Sequence, residues 1–212
     1  MEAIPIVFSE RVAPEDQARA DFYALLSRLY AAAPDATLLA TIGAAQPLKV
    51  AEGDAAAAAL ARSWQALVAA SAGADADAIA SEYQTLFVGV GASEVSLHGS
   101  AYAKSRRGGP LLVQLRDSLA QLHLTRAPGV TLFEDHLAAV FETMRLLVGG
   151  DGQPGEFAFD VQREFFSANI EPWVCLCCNA ICAKPVAIYY VQVAQFTRDF
   201  LVIERDSFTI ES

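Results

Sequence analysis

The sequence predicts an all-α fold, and three observations predict it. Apolar residues recur three and four positions apart along nearly the whole chain. Gly, Pro and Asp fall between those periodic stretches, where helices stop and start. No segment shows the alternation and turn chemistry of a sheet. With 212 residues, the chain is expected to form one helical domain over 1–212, fraying at about 1–12 and 205–212. Hydrophobic residues make up 54% and charged residues 19%, which excludes a disordered chain and supplies a sizeable core.

The elements follow in order. Pro14-Glu15-Asp16 starts a helix, with proline in the first turn and acids at the positive end of the dipole. Phe22, Leu25, Leu26, Leu29 and Tyr30 mark its apolar stripe until Pro34. A short helix is expected over Asp35–Ile42, closed by Gly43. The alanine-rich run Asp54–Ala72 carries Leu60, Trp64, Leu67 and Val68 on one face. Asp77–Phe87 aligns Ile79, Tyr83, Leu86 and Phe87 and ends at Gly89. Val88–Gly109 is the longest stretch without periodicity, and a loop of that length inside a compact domain is often functional.

Helical spacing resumes at Pro110, with Leu112, Leu115, Leu119 and Leu122. Glu134–Val148 follows, with Leu137, Val140, Phe141, Met144 and Leu147 as its buried face. Gly149–Gly155 reads as a turn-rich connection. Phe157–Ala168, Pro172–Ala183 and Pro185–Glu204 read as three more helices. Trp173–Phe196 is apolar enough to raise the question of a membrane span, but a turn at Lys184-Pro185 divides it into two buried helices.

Charge narrows the function. Fifteen basic against 25 acidic side chains give a net charge of -10 and a pI near 4.7. Such a surface repels a phosphate backbone, so nucleic-acid binding is excluded, whereas a basic peptide is a natural complement. Met1–Pro5 lacks the basic and apolar regions of a secretory signal. The four cysteines crowd into Cys175–Cys182 instead of spreading as a disulfide framework, so cytoplasmic residence is expected.

Two clusters carry chemistry. Cys175, Cys177, Cys178 and Cys182 suit zinc or an iron–sulfur centre, but on one helix Cys177 points away from the stripe of the other three. The competing reading is an ordinary buried helix with cysteine as a small hydrophobe. Glu134-Asp135-His136, read as the start of a helix, cannot all aim at one substrate atom. The triplet is open to three readings: acid–base catalysis, a helix cap, or a polar rim that accepts an incoming guanidinium. A metal-binding or hydrolytic protein using His136, Asp135 and Cys175–Cys182 is therefore the alternative class. Gly89-Val90-Gly91 is too short for a dinucleotide fingerprint, and Arg106-Arg107 is internal, so neither implies a cofactor or an export signal.

Several segments, in order, resemble the TorD/DmsD/NarJ family of cytoplasmic chaperones for molybdenum oxidoreductases. They are Glu82-Tyr83-Gln84-Thr85-Leu86-Phe87-Val88-Gly89, Ser100-Ala101-Tyr102, Glu134-Asp135-His136-Leu137, Phe165-Phe166 leading to Pro172-Trp173, and the Tyr189–Glu204 helix. The branch serving type II dimethyl-sulfoxide-reductase-like enzymes is similar too. The chain departs from the family pattern at Val90, Phe133 and Asn169. The resemblance implies a non-enzymatic, cofactor-free helical domain. Its partner would be a molybdopterin oxidoreductase subunit, gripped by its twin-arginine leader or N-terminus until cofactor insertion is complete. It further implies Glu134 and Asp135 as guanidinium acceptors, with His136 orienting the peptide. Phe87, Gly89, Ser100 and Tyr102 would lie along the binding loop, and Tyr83, Trp64 and Trp173 are candidate groove walls.

Overall fold

A computed structural model describes residues 13–50, 53–89, 93–103, 110–127, 129, 131–149 and 158–210. Nine α-helices are present among them: α1 (Pro14–Ala31), α2 (Ala36–Gly43), α3 (Ala55–Ser71), α4 (Ala76–Tyr83), α5 (Leu111–Gln121), α6 (Leu137–Gly149), α7 (Phe159–Asn169), α8 (Val174–Cys182) and α9 (Tyr190–Ile210). A π turn over Gln84–Val88 continues α4, and a 3₁₀ turn occupies Gly99–Ala101. The fold is all-α, as the periodicity predicts. Extended backbone pairs in an antiparallel bridge between His98 and His136.

Local chemistry starts most of the helices. Asp35, Asp54 and Asp75 accept from main-chain N–H groups in the first turns of α2, α3 and α4, so α4 begins earlier than its acidic Asp77 suggests. α1 packs on α6, α3 and α8 pack on α9, and α2 lies against α3. The shared core includes the fully buried Tyr23, Tyr30, Phe141, Phe196 and Tyr190. Phe22, Trp64, Phe196 and Phe200 meet in an aromatic cluster at centroid distances of 5.1 to 6.5 Å.

Two helices depart from the sequence reading in ways that matter for the site and the chain end. α6 starts at Leu137, which leaves Glu134-Asp135-His136 in the turn before the helix. α9 starts at Tyr190 and runs to Ile210 instead of stopping at Glu204. Residues 205–210, expected to fray, stay helical because Phe208 is buried against Phe159 and Phe166. The expected fraying of 1–12, the Arg106-Arg107 pair, Val90-Gly91 and most of the Gly149–Gly155 connection lie outside the described residues.

No single described helix is long and apolar enough to cross a membrane. The apolar stretch Trp173–Phe196 is divided between α8 and α9, with the break around Lys184-Pro185 as read from the sequence.

Candidate functional site

The turn before α6 is tied to the loop after α4. Leu137 N–H donates to Leu97 O at 2.8 Å, and Gly99 N–H donates to Asp135 O at 2.9 Å. The Asp135 side chain completes the joint. Its Oδ2 accepts from Ser100 N–H at 3.1 Å, and His98 Nδ1 lies 3.1 Å from its Oδ1. Asp135 is 2% exposed. Burial alone would raise its pKa, but the hydrogen bonds from His98 and Ser100 hold it down to about 2. It is an anion at neutral pH, and each of its oxygens already has a partner from its own chain.

His136 plays a different part. Its Nδ1 accepts from Ala138 N–H at 3.2 Å, so a neutral imidazole caps the first turn of α6. Burial lowers its pKa, the neighbouring His98 lowers it further, and Asp135 only partly offsets them, leaving it at about 4. A neutral ring suits the positive end of a helix dipole. The capping reading of the triplet thus holds for the histidine, where the sequence had assigned it to an acid.

Glu134 is half-buried and pairs with Arg116 at 3.1 Å, from α5. Burial raises its pKa, yet the Arg116 bond brings it below the usual carboxylate range. Phe133 stands beside it, 54% exposed, with its ring 6.1 Å from that of His98. The outer surface of the joint is therefore an imidazole, an exposed phenyl ring and an exposed ion pair. His98, Phe133 and Arg116 were not selected as binding residues from sequence. The signal for Phe133 was its departure from the family pattern; for His98 it was only its place in the unperiodic loop.

The remaining sequence candidates separate into loop and core. Ser100 is exposed, and Tyr102 donates its hydroxyl to Ser96 O at 2.8 Å while stacking on Trp173 at 6.0 Å. Trp173 is fully buried, with its indole N–H on Asn169 O at 2.6 Å. It forms the floor beneath Gly99 and is closed to a peptide. Trp64 donates to Gln46 O at 2.9 Å and Tyr83 to Tyr30 O at 3.1 Å; both are buried in the core. Phe87 packs edge-on against Tyr190 at 4.9 Å. Gly89 ends the π turn at φ 64°, a conformation that favours glycine.

Cys177 and Cys178 point into the core with Val174 and Ile181, whereas Cys175 is exposed. The buried stripe is therefore not the 175, 178 and 182 set that a straight helical wheel suggests. Burial pushes the Cys177 thiol up to about 12 and that of Cys178 well above its ordinary value, the reverse of what a thiolate ligand needs. Among the described residues no group of three or more His, Cys, Asp or Glu is arranged to hold a metal ion. His123 is an exposed residue in the turn after α5.

The family model described as nitrate reductase delta subunit matches residues 52–179, more than half of the chain and all of the joint. No curated protein matches the sequence.

Proposed function

The chain belongs to the nitrate reductase delta subunit family, a family of non-catalytic molybdoenzyme chaperones, and from that premise we propose how it acts on its client. It works in the cytoplasm on a molybdopterin oxidoreductase catalytic subunit, holding the leader or N-terminal segment until cofactor insertion is complete. The docking edge is the surface over the Asp135 joint. Phe133 offers an apolar contact there, His98 a hydrogen-bonding ring, and Glu134 a carboxylate that can exchange Arg116 for a guanidinium of the client. Asp135 positions this edge and does not itself receive the peptide.

The observation that carries the reading is the family match, whose span contains every residue of this edge. The acidic balance of the chain supports a basic partner.

The test is titration of a labelled twin-arginine leader peptide by fluorescence anisotropy. Phe133→Ser should weaken binding several-fold while leaving the melting temperature unchanged, because that ring is at the surface. His98→Ala should also weaken binding, but with a lower melting temperature, because it takes a partner from the buried Asp135 carboxylate. A wild-type protein that does not bind the leader would remove the proposal.

A further inference from the structure

The cleft between α5 and α7 lies apart from the Asp135 joint. A helix ordinarily turns its apolar stripe toward its neighbours, and α5 does so with the buried Leu111 and Leu115. Gln114, Asp117 and Gln121 are spaced along one face of α5, the first partly buried and the other two exposed. They form one wall of a cleft of about 410 Å³, whose other wall is Val161, Glu164 and Phe165 of α7. That volume is within the range of sites that accept a ligand or a partner's side chains.

The chemistry of the walls is one-sided. Among the described residues no lysine or arginine lines the cleft. The nearest basic neighbours in sequence are engaged elsewhere, Arg116 with Glu134 and Arg163 with Asp160. Asp117 and Glu164 have no ion-pair partner among the described residues. Gln114 Oε1 is buried without a hydrogen-bond partner, an arrangement that proteins rarely leave standing. Two carboxylates from opposite walls and one vacant amide oxygen are all acceptors. Val161 and Phe165 add an apolar floor.

We propose that the α5–α7 cleft docks a cationic amphipathic peptide segment, with one arginine entering between Asp117 and Glu164. A guanidinium is planar, carries five donors and no acceptor, and can serve both carboxylates and the Gln114 carbonyl at once. A neighbouring apolar side chain of the segment rests on Val161. Lysine, a compact point charge, satisfies fewer of these acceptors, so the cleft prefers arginine. The proposal rests on the chaperone reading only for the source of the segment, a client polypeptide.

The test uses short synthetic peptides in which leucine alternates with arginine, lysine or glutamine, titrated by anisotropy and followed by amide chemical shifts. The arginine peptide should perturb α5 and α7, and Asp117→Asn with Glu164→Gln should weaken it about tenfold, to the level of the glutamine peptide. The lysine peptide should fall between them. Glu15→Asn with Asp77→Asn removes the same charge from other exposed positions and should change affinity less than about twofold. An equal loss with that control pair, or undiminished binding to the cleft double variant, overturns the proposal. Arginine-peptide binding at the cleft by a protein that ignores the leader supports the cleft and removes only the client reading.

Discussion

Glu82 of α4 accepts from three consecutive main-chain donors, Ile188, Tyr189 and Tyr190, at 3.0, 3.0 and 2.8 Å. It is 8% exposed and supplies the cap that α9 lacks in its own sequence. Glu82→Gln keeps the shape but removes the charge and turns an NH₂ toward donors; urea unfolding should show a loss of about 2 kcal/mol. Asp135 and His136 make the protein acid-sensitive in two stages. His136 titrates at about 4 when folded, against about 6.5 unfolded. The unfolded chain takes up that proton first, so stability falls as pH drops between those values, by about 3 kcal/mol at most. Asp135 titrates at about 2 when folded, against about 3.9 unfolded, so its contribution is present above the unfolded value and lost as pH falls toward the folded one. His136→Asn preserves a capping acceptor and should flatten the first stage only. Urea midpoints from pH 7 to pH 4 check this.

At the scale of elements, the loop–helix joint depends on close packing beneath it. A Cβ on Gly99 would stand 2.6 Å from Leu111 and 2.8 Å from Trp173. Gly99→Ala should therefore cost about 2 kcal/mol and shift Trp173 fluorescence, and leader affinity should fall with it. The cores of α3 and α6 were legible in the sequence because burial imposes a period, whereas α5 buries Leu111 with Leu115 and α8 buries Cys177 with Cys178, off the stripes that spacing suggested. Leu60, Trp64, Leu67 and Val68 of α3 and Leu137, Val140, Phe141, Met144 and Leu147 of α6 are buried as their spacing predicts. What escaped was set by distant partners. The acidic-histidine triplet leaves the helix because Leu97 O captures Leu137 N–H, a bond that no local period reports. The same holds for His98, whose partner lies 37 positions away. The placement of Gln114, Asp117 and Gln121 of α5 across a cleft from α7 is likewise set by a distant partner.

Across the whole molecule, the net charge of -10 sets how a basic client arrives. Association with a leader peptide should slow steeply as salt rises through the range where the screening length falls below about 10 Å; stopped-flow mixing at two salt concentrations measures it. The largest sequence separation among the described side-chain bonds joins α1 to α9. Arg19 donates to both oxygens of Glu204 at 2.7 and 3.0 Å, Tyr23 donates to the same carboxylate at 2.8 Å, and the guanidinium lies over the rings of Phe159 and Phe208. Arg19→Met leaves Glu204 buried and without its cation, and should cost about 3–5 kcal/mol by urea unfolding. This clasp also has a consequence in time. Arg19 and Glu204 are 185 positions apart, which a translating ribosome covers in roughly ten to forty seconds. During that interval α1 has emerged without its charge partner. The aromatic centre that Phe196 and Phe200 complete must likewise close after α9 is synthesised, so the fold cannot be finished before that helix has emerged.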